Sequence, residues 1–130
     1  MANPHSVLVI DDDPAILLTL TAYLEDSGFS VVKASDGKTG LELFAQLRPD
    51  AIVTDLRMPG LDGFEVIAAV KAQSPATPVI AFTGTGEHRE SDLAIEMGAW
   101  CCLYKPLADL NELVMAINLA LEQPNTGGMP

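Results

Sequence analysis

Apolar residues fall into five short runs, and between the runs the spacing of apolar positions changes from consecutive to helical. The runs are Val7-Leu8-Val9-Ile10, Ser30-Val31-Val32-Lys33-Ala34, Ala51-Ile52-Val53-Thr54, Pro78-Val79-Ile80-Ala81-Phe82 and Cys102-Leu103-Tyr104. Each is short enough for a strand and too short for an independent helix. Residues 14–25 carry Ile16, Leu17, Leu20, Tyr23 and Leu24 on one helical face, beginning at Pro14, a residue suited to the first helical position. A second helix follows Ser35-Asp36-Gly37, turns Leu41, Phe44 and Leu47 inward, and must stop near Arg48-Pro49. A third opens at Asp62, three residues before Glu65, with Leu61 and Val66 placed as a hydrophobic staple. The fourth, from His88 to about Met97, is polar in its first turn, then shows Leu93 and Met97, and closes on Gly98. The fifth starts with the pair Asp109 and Glu112 and carries Leu113, Ile117 and Leu121 at successive turns. Strands and helices in strict alternation predict an α/β fold, a parallel sheet covered by helices on both faces.

The chain of 130 residues predicts one domain over residues 1–122, with a flexible tail or linker at 123–130, where Pro, Asn, Thr and Gly dominate. A net charge of −11 argues against direct contact with nucleic acid, which needs clustered Lys and Arg. The two cysteines, Cys101 and Cys102, are adjacent, so in a strand they point to opposite faces and do not pair. No basic-then-apolar leader and no apolar run near eighteen residues is seen, which predicts a cytoplasmic protein that does not enter a membrane.

The strand ends carry the chemistry. The first run ends on Asp11-Asp12-Asp13, the third on Asp55 and a Pro59-Gly60 turn, the fourth on Thr83, the fifth on Lys105-Pro106. In a parallel sheet these ends share one edge, where open α/β sheets bind their ligands. Like charges about 5 Å apart repel by roughly 3 kcal/mol at an effective dielectric of about 20, so clustered aspartates call for a hard cation. Asp13, directly before Pro14, is better placed as a helix cap; Asp11 and Asp12 are the metal candidates. Asp55 is either a solvated strand terminus or a nucleophile that forms an acyl phosphate. Thr83 and Lys105, each unremarkable alone, supply the hydroxyl and the ammonium that a phosphoryl group needs around it.

With those residues in place, the chain resembles the receiver domains of two-component response regulators from about residue 7 to residue 121. The acidic pair matches Asp11 and Asp12, the phosphoacceptor Asp55, the loop Met58-Pro59-Gly60 with Asp62-Gly63, the hydroxyl Thr83, and the Lys-Pro pair Lys105-Pro106. The resemblance implies a flavodoxin-like (βα)5 doubly wound sheet in the order 2-1-3-4-5. It implies Mg²⁺ held by Asp12, Asp55, the backbone carbonyl of Arg57 and waters, with Asp11 placing one of the waters, and a cis peptide before Pro106. It also implies a histidine kinase or phosphotransfer protein as donor, and an effector domain or partner reached through the fourth helix, fifth strand and fifth helix. A phosphorylation-dependent homodimer and slow loss of the chain's own phosphoryl group belong to the same pattern, without a separate enzymatic activity.

One position departs from the pattern. Receivers usually carry Tyr or Phe three residues before the lysine, and here Cys102 stands there. Tyr104, on the same strand face, is either a substitute in the switch or a packed core residue. Signal would otherwise run through Thr83, the loop Gly84-Thr85-Gly86 and the start of the fourth helix. The side chain of Arg57 either lies over the phosphoryl group and impedes water or is simply solvated. Two rival readings fit the residues less well. A phosphatase of the haloacid-dehalogenase class would need an acidic pair at a further strand after Lys105, where only Asp109, Glu112 and Glu122 remain, all on helical spacing. A silent interaction domain would not need Asp11, Asp12, Asp55, Thr83 and Lys105 together.

Overall fold

The computed structural model describes residues 4–84, 88–107 and 109–122. The expected tail at 123–130 and the Thr85-Gly86 part of the loop before the fourth helix lie outside the described residues. Five strands, β1 (Ser6–Ile10), β2 (Ser30–Ala34), β3 (Ala51–Thr54), β4 (Val79–Thr83) and β5 (Cys101–Tyr104), alternate with five helices. These are α1 (Pro14–Asp26), α2 (Gly37–Leu47), α3 (Gly63–Gln73), α4 (His88–Glu96) and α5 (Asn111–Glu122). All strand pairs are parallel, in the order β2-β1-β3-β4-β5.

The period of two along each strand divides the core between the two faces of the sheet. Leu8, Ile10, Ile52, Val79 and Ala81 pack with Phe44, Val66, Ile67, Val70 and Ala94, from α2, α3 and α4. Val7, Val9, Val53, Ile80 and Phe82 pack with Leu20, Leu24, Leu113 and Ile117, from α1 and α5. Because β1, β3 and β4 lie between other strands and under helices on both sides, their sequences are continuously apolar.

Local signals fix the helix ends. Asp13 caps α1, its carboxylate accepting from the Ala15 and Ile16 N–H groups. Asp62 and Glu65 form a capping box: Asp62 Oδ1 accepts from Glu65 N–H at 3.0 Å and Glu65 Oε1 from Asp62 N–H at 2.9 Å. Replacing Asp62 by Ala is expected to cost about 1 kcal/mol, read as a lower urea midpoint at unchanged slope. Asp109 Oδ1 accepts from Asn111 N–H, so α5 begins two residues after the expected cap. Gly98 ends α4 at φ +119°, and the Lys71 stem lies where a side chain would project.

Two expected core positions are on the surface. Leu47 is 54% exposed, because the chain reverses at Arg48 in the left-handed region and draws Pro49 into the interior instead. Leu93 is 46% exposed, because α4 presents Glu90 and Ala94, four residues apart, to the body of the protein.

Candidate functional site

The sheet brings the four strand ends to one edge. Asp11 follows β1, its N–H bonded to the carbonyl of Ala34 at the end of β2. Asp55 follows β3, its N–H bonded to the carbonyl of Ile10. Both backbone bonds continue the sheet pattern past the last strand residue, so each carboxylate is held by the sheet itself and not by a free loop. Asp11 and Asp55 are nearly buried, whereas Asp12 is exposed.

Lys105 reaches into this pair. Its ammonium lies 2.7 Å from Asp11 Oδ2 and 3.1 Å from Asp55 Oδ2, and 5.6 Å from the centre of the Phe82 ring, over its face. The other oxygen of each carboxylate takes backbone donors. Asp11 Oδ1 accepts from Asp13 N–H at 2.9 Å, and Asp55 Oδ1 accepts from Leu56 N–H at 2.7 Å and Arg57 N–H at 3.4 Å. Burial raises the Asp11 carboxyl above the usual carboxylate value, and Lys105 lowers it only in part. Burial also works against the charged form of Lys105, yet Asp11 and Asp55 together carry its pKa above the usual lysine value. Both directions have one cause. Two carboxylates share a single ammonium in a poorly hydrated place, so the cation is held firmly and the site remains short of positive charge.

Asp11, Asp12 and Asp55 can each offer a carboxylate oxygen within 4.8 Å of one another. Two buried acids and one exposed acid, with Lys105 able to neutralise only part of their charge, fit a hard divalent cation that keeps waters on its open side. Thr83, at the end of β4, is buried and lies in register with Tyr104. Cys102 lies in register with Ala81 and packs on the α2–α3–α4 side of the sheet, so Cys102, Tyr104, Ala81 and Thr83 share one face. Tyr104 is half-buried. The Lys105–Pro106 peptide is cis.

Two features were not read from the sequence. The guanidinium of Arg57 is not merely solvated: it forms an ion pair with Glu90 of α4. Glu90 repeats with Ala94 and Met97 at helical spacing, a pattern that places it inward although it lies in the polar first turn of α4. The second is the close packing at Gly63, where a side chain would run into the Asp55 carbonyl and the Leu56 backbone.

Comparison with known proteins agrees with this architecture. Residues 7–118 match the family described as the response regulator receiver domain. The transcriptional regulatory protein GlrR of Escherichia coli is 37% identical over 121 residues, covering 93% of this chain and 27% of that protein. The response regulator MprA of Mycolicibacterium vanbaalenii is 37% identical over 120 residues, covering 92% and 52%. A response regulator receiver domain from Clostridium thermocellum superposes with a TM-score of 0.87 at 35% identity, covering 92% of this chain and 95% of that one. The Vibrio cholerae chemotaxis protein CheY4 does so with 0.83 at 30% identity, covering 89% and 98%. The chain therefore belongs to the receiver domain family of two-component response regulators, and it is a signalling switch operated by phosphorylation of an aspartate. It spans between about a quarter and a half of the length of these curated relatives.

Proposed function

We propose that Asp55 is the phosphoacceptor, that Asp11, Asp12, Asp55 and the Arg57 carbonyl hold Mg²⁺, and that Thr83 and Lys105 bind the phosphoryl group. The observation that supports this most is the shared ammonium: Lys105 bridges Asp11 and Asp55 at 2.7 and 3.1 Å on the edge where Thr83 also ends its strand.

Asp55 Oδ1 is occupied by two backbone N–H groups, whereas Oδ2, among the described residues, meets the side chain of Lys105. Oδ2 is therefore the attacking oxygen. It forms the new P–O bond as the bond from phosphorus to the donor's leaving group breaks, and the leaving group departs with that electron pair. Lys105 is then placed to neutralise the transferred group's oxygens, and the Thr83 hydroxyl to donate to one of them. Bound Mg²⁺ would supply the remaining positive charge against the developing negative charge. Water attack on the same phosphorus returns the carboxylate, which makes the domain a participant in its own transfer and dephosphorylation.

The donor is a histidine kinase or a phosphotransfer protein in the cytoplasm. The receiver spans residues 1–122, with residues 123–130 a flexible tail or linker, and an effector domain or partner protein reads the switch. On α4 and α5, Leu93, Ile95, Met115 and Leu119 are about half exposed, which supports that side as the output surface. Acidity speaks against direct nucleic-acid contact by this domain. Among the described residues no helix is long and apolar enough to cross a membrane.

Incubation with a small phosphodonor and Mg²⁺ tests the reading by intact mass. Stable addition of one phosphoryl group, lost on chelation of the metal beforehand, is expected. Continuous release of phosphate without a labelled protein would point to a phosphatase, and no reaction to a silent domain. Lys105→Met separates the two roles of the ammonium. It should slow labelling about 10²-fold, as loss of one positioned charge does elsewhere. It should also tighten Mg²⁺ binding in calorimetry, since Asp11 and Asp55 lose the cation that now competes for them. Weaker Mg²⁺ binding in that variant would contradict the arrangement.

A further inference from the structure

We infer that Glu90 transmits phosphorylation to α4 by gaining and losing Arg57 as its counter-ion, an inference that rests on Asp55 as the phosphoacceptor. Arg57 stands two residues after Asp55, and its backbone N–H donates to Asp55 Oδ1 at 3.4 Å. The stem of its side chain therefore starts at the phosphorylation site. The guanidinium nevertheless lies on α4, paired with Glu90 Oε2, and the arginine side chain is 65% exposed. Its partner is not: the Glu90 side chain retains 9% exposure, and its second oxygen, Oε1, is buried without a hydrogen-bond partner among the described residues.

That asymmetry makes the pair a two-position device. A buried carboxylate held by one exposed cation, with its other oxygen unsatisfied, gains little from the pairing itself. Removing the cation while leaving the carboxylate in place is far more costly, because an uncompensated buried charge remains. A phosphoryl group on Asp55 carries nearly two negative charges and presents several acceptor oxygens beside the Arg57 backbone. A guanidinium prefers such a planar, multi-oxygen target, in a bidentate, charge-assisted contact. Phosphorylation thus draws Arg57 from Glu90 and leaves a buried carboxylate without its counter-ion, so the first turn of α4 opens to admit water. The aromatic ring absent at position 102 is not required for this path. Its elements are Asp55 and Arg57, in the loop after β3, and Glu90 on α4.

Hydrogen exchange at the α4 amides, with phosphoryl occupancy read by intact mass on the same samples, tests the device in four proteins. In the wild type, labelling should lower α4 protection about tenfold, the scale of a local opening driven by an unpaired buried charge. Arg57→Ala should show that loss without any phosphodonor. Glu90→Gln, which keeps the shape and removes the charge, should keep free-state protection whether or not Asp55 is labelled. The double variant Arg57→Ala with Glu90→Gln should recover the protection that Arg57→Ala alone loses. A purely structural clasp predicts the opposite for the double variant, with protection as low as in Arg57→Ala, and that result overturns the inference. Labelled wild type with unchanged α4 exchange overturns it equally. Absence of labelling would strike the phosphoacceptor reading instead, while recovery or loss in the unlabelled double variant still decides the Arg57–Glu90 pair.

Discussion

Asp55→Asn should take up no phosphoryl group from a small donor, while folding as the wild type does. The reacting atom is Oδ2, the oxygen that faces Lys105 at 3.1 Å and takes no backbone donor among the described residues. An amide has no anionic oxygen to offer phosphorus there, and its nitrogen lone pair is delocalised. The fold has little reason to change. The amide oxygen can keep the Leu56 and Arg57 N–H bonds now made to Oδ1, and Lys105 keeps Asp11 at 2.7 Å. Electrostatics nearly cancel as well. The variant loses one attraction to Lys105 and is relieved of the repulsion between Asp11 and Asp55, each a few kcal/mol at an effective dielectric of about 20. A melting temperature within a few degrees of wild type is therefore expected, alongside an unlabelled intact mass. Undiminished labelling of the variant would remove Asp55 from the mechanism, and a large drop in melting temperature would mean that its carboxylate has a structural task beyond the bonds described.

What the sequence made legible follows from how local each determinant is. β1, β3 and β4 are buried on both faces, so burial wrote itself as uninterrupted apolar runs, and the acids that end β1 and β3 marked the functional edge. Caps at Asp13 and Asp62 were equally legible, because the donor and acceptor lie within three residues. The order of the strands was not a matter of local pattern and came from the resemblance of the motifs to a family. Leu47 and Leu93 were misplaced because helical period gives a direction around the axis and not the point where packing ends. Leu47 belongs to a terminal turn, and Leu93 lies beside a face already taken by Glu90 and Ala94. The Arg57–Glu90 pair joins two elements 33 residues apart, a contact that exists only once α4 is docked. Tyr104 shows the limit from the other side. Its strand face was readable, but only the pairing register places it opposite Thr83 and leaves Cys102 one step below, opposite Ala81.

The largest expected effect on stability comes from a methyl group. Gly63→Ala adds a Cβ at the first residue of α3, where the nearest atoms are the Asp55 carbonyl oxygen and, at 2.7 and 2.9 Å, Leu56 Cα and the Asp55 carbonyl carbon. These are backbone atoms in a loop pinned from both sides. The Asp55 N–H is bonded to Ile10 in the sheet, and the Gly63 N–H to the Leu56 carbonyl. No side chain can swing away, so either α3 retreats or the strand end shifts. Helix propensity alone would favour Ala over Gly by about 1 kcal/mol. Overpacking a rigid site typically costs about 1–3 kcal/mol and more where only backbone can yield. The clash should win, with a net loss of about 2–3 kcal/mol and a melting temperature lower by roughly 10 °C. Phosphodonor labelling should slow in the protein that remains folded, because the displaced backbone is that of Asp55 itself and reacting groups tolerate little misplacement. Thermal unfolding followed by circular dichroism, with labelling rates below the transition, measures both. A variant that melts with the wild type or above it would show that propensity outweighs the contact, and that the turn between β3 and α3 is looser than its geometry implies.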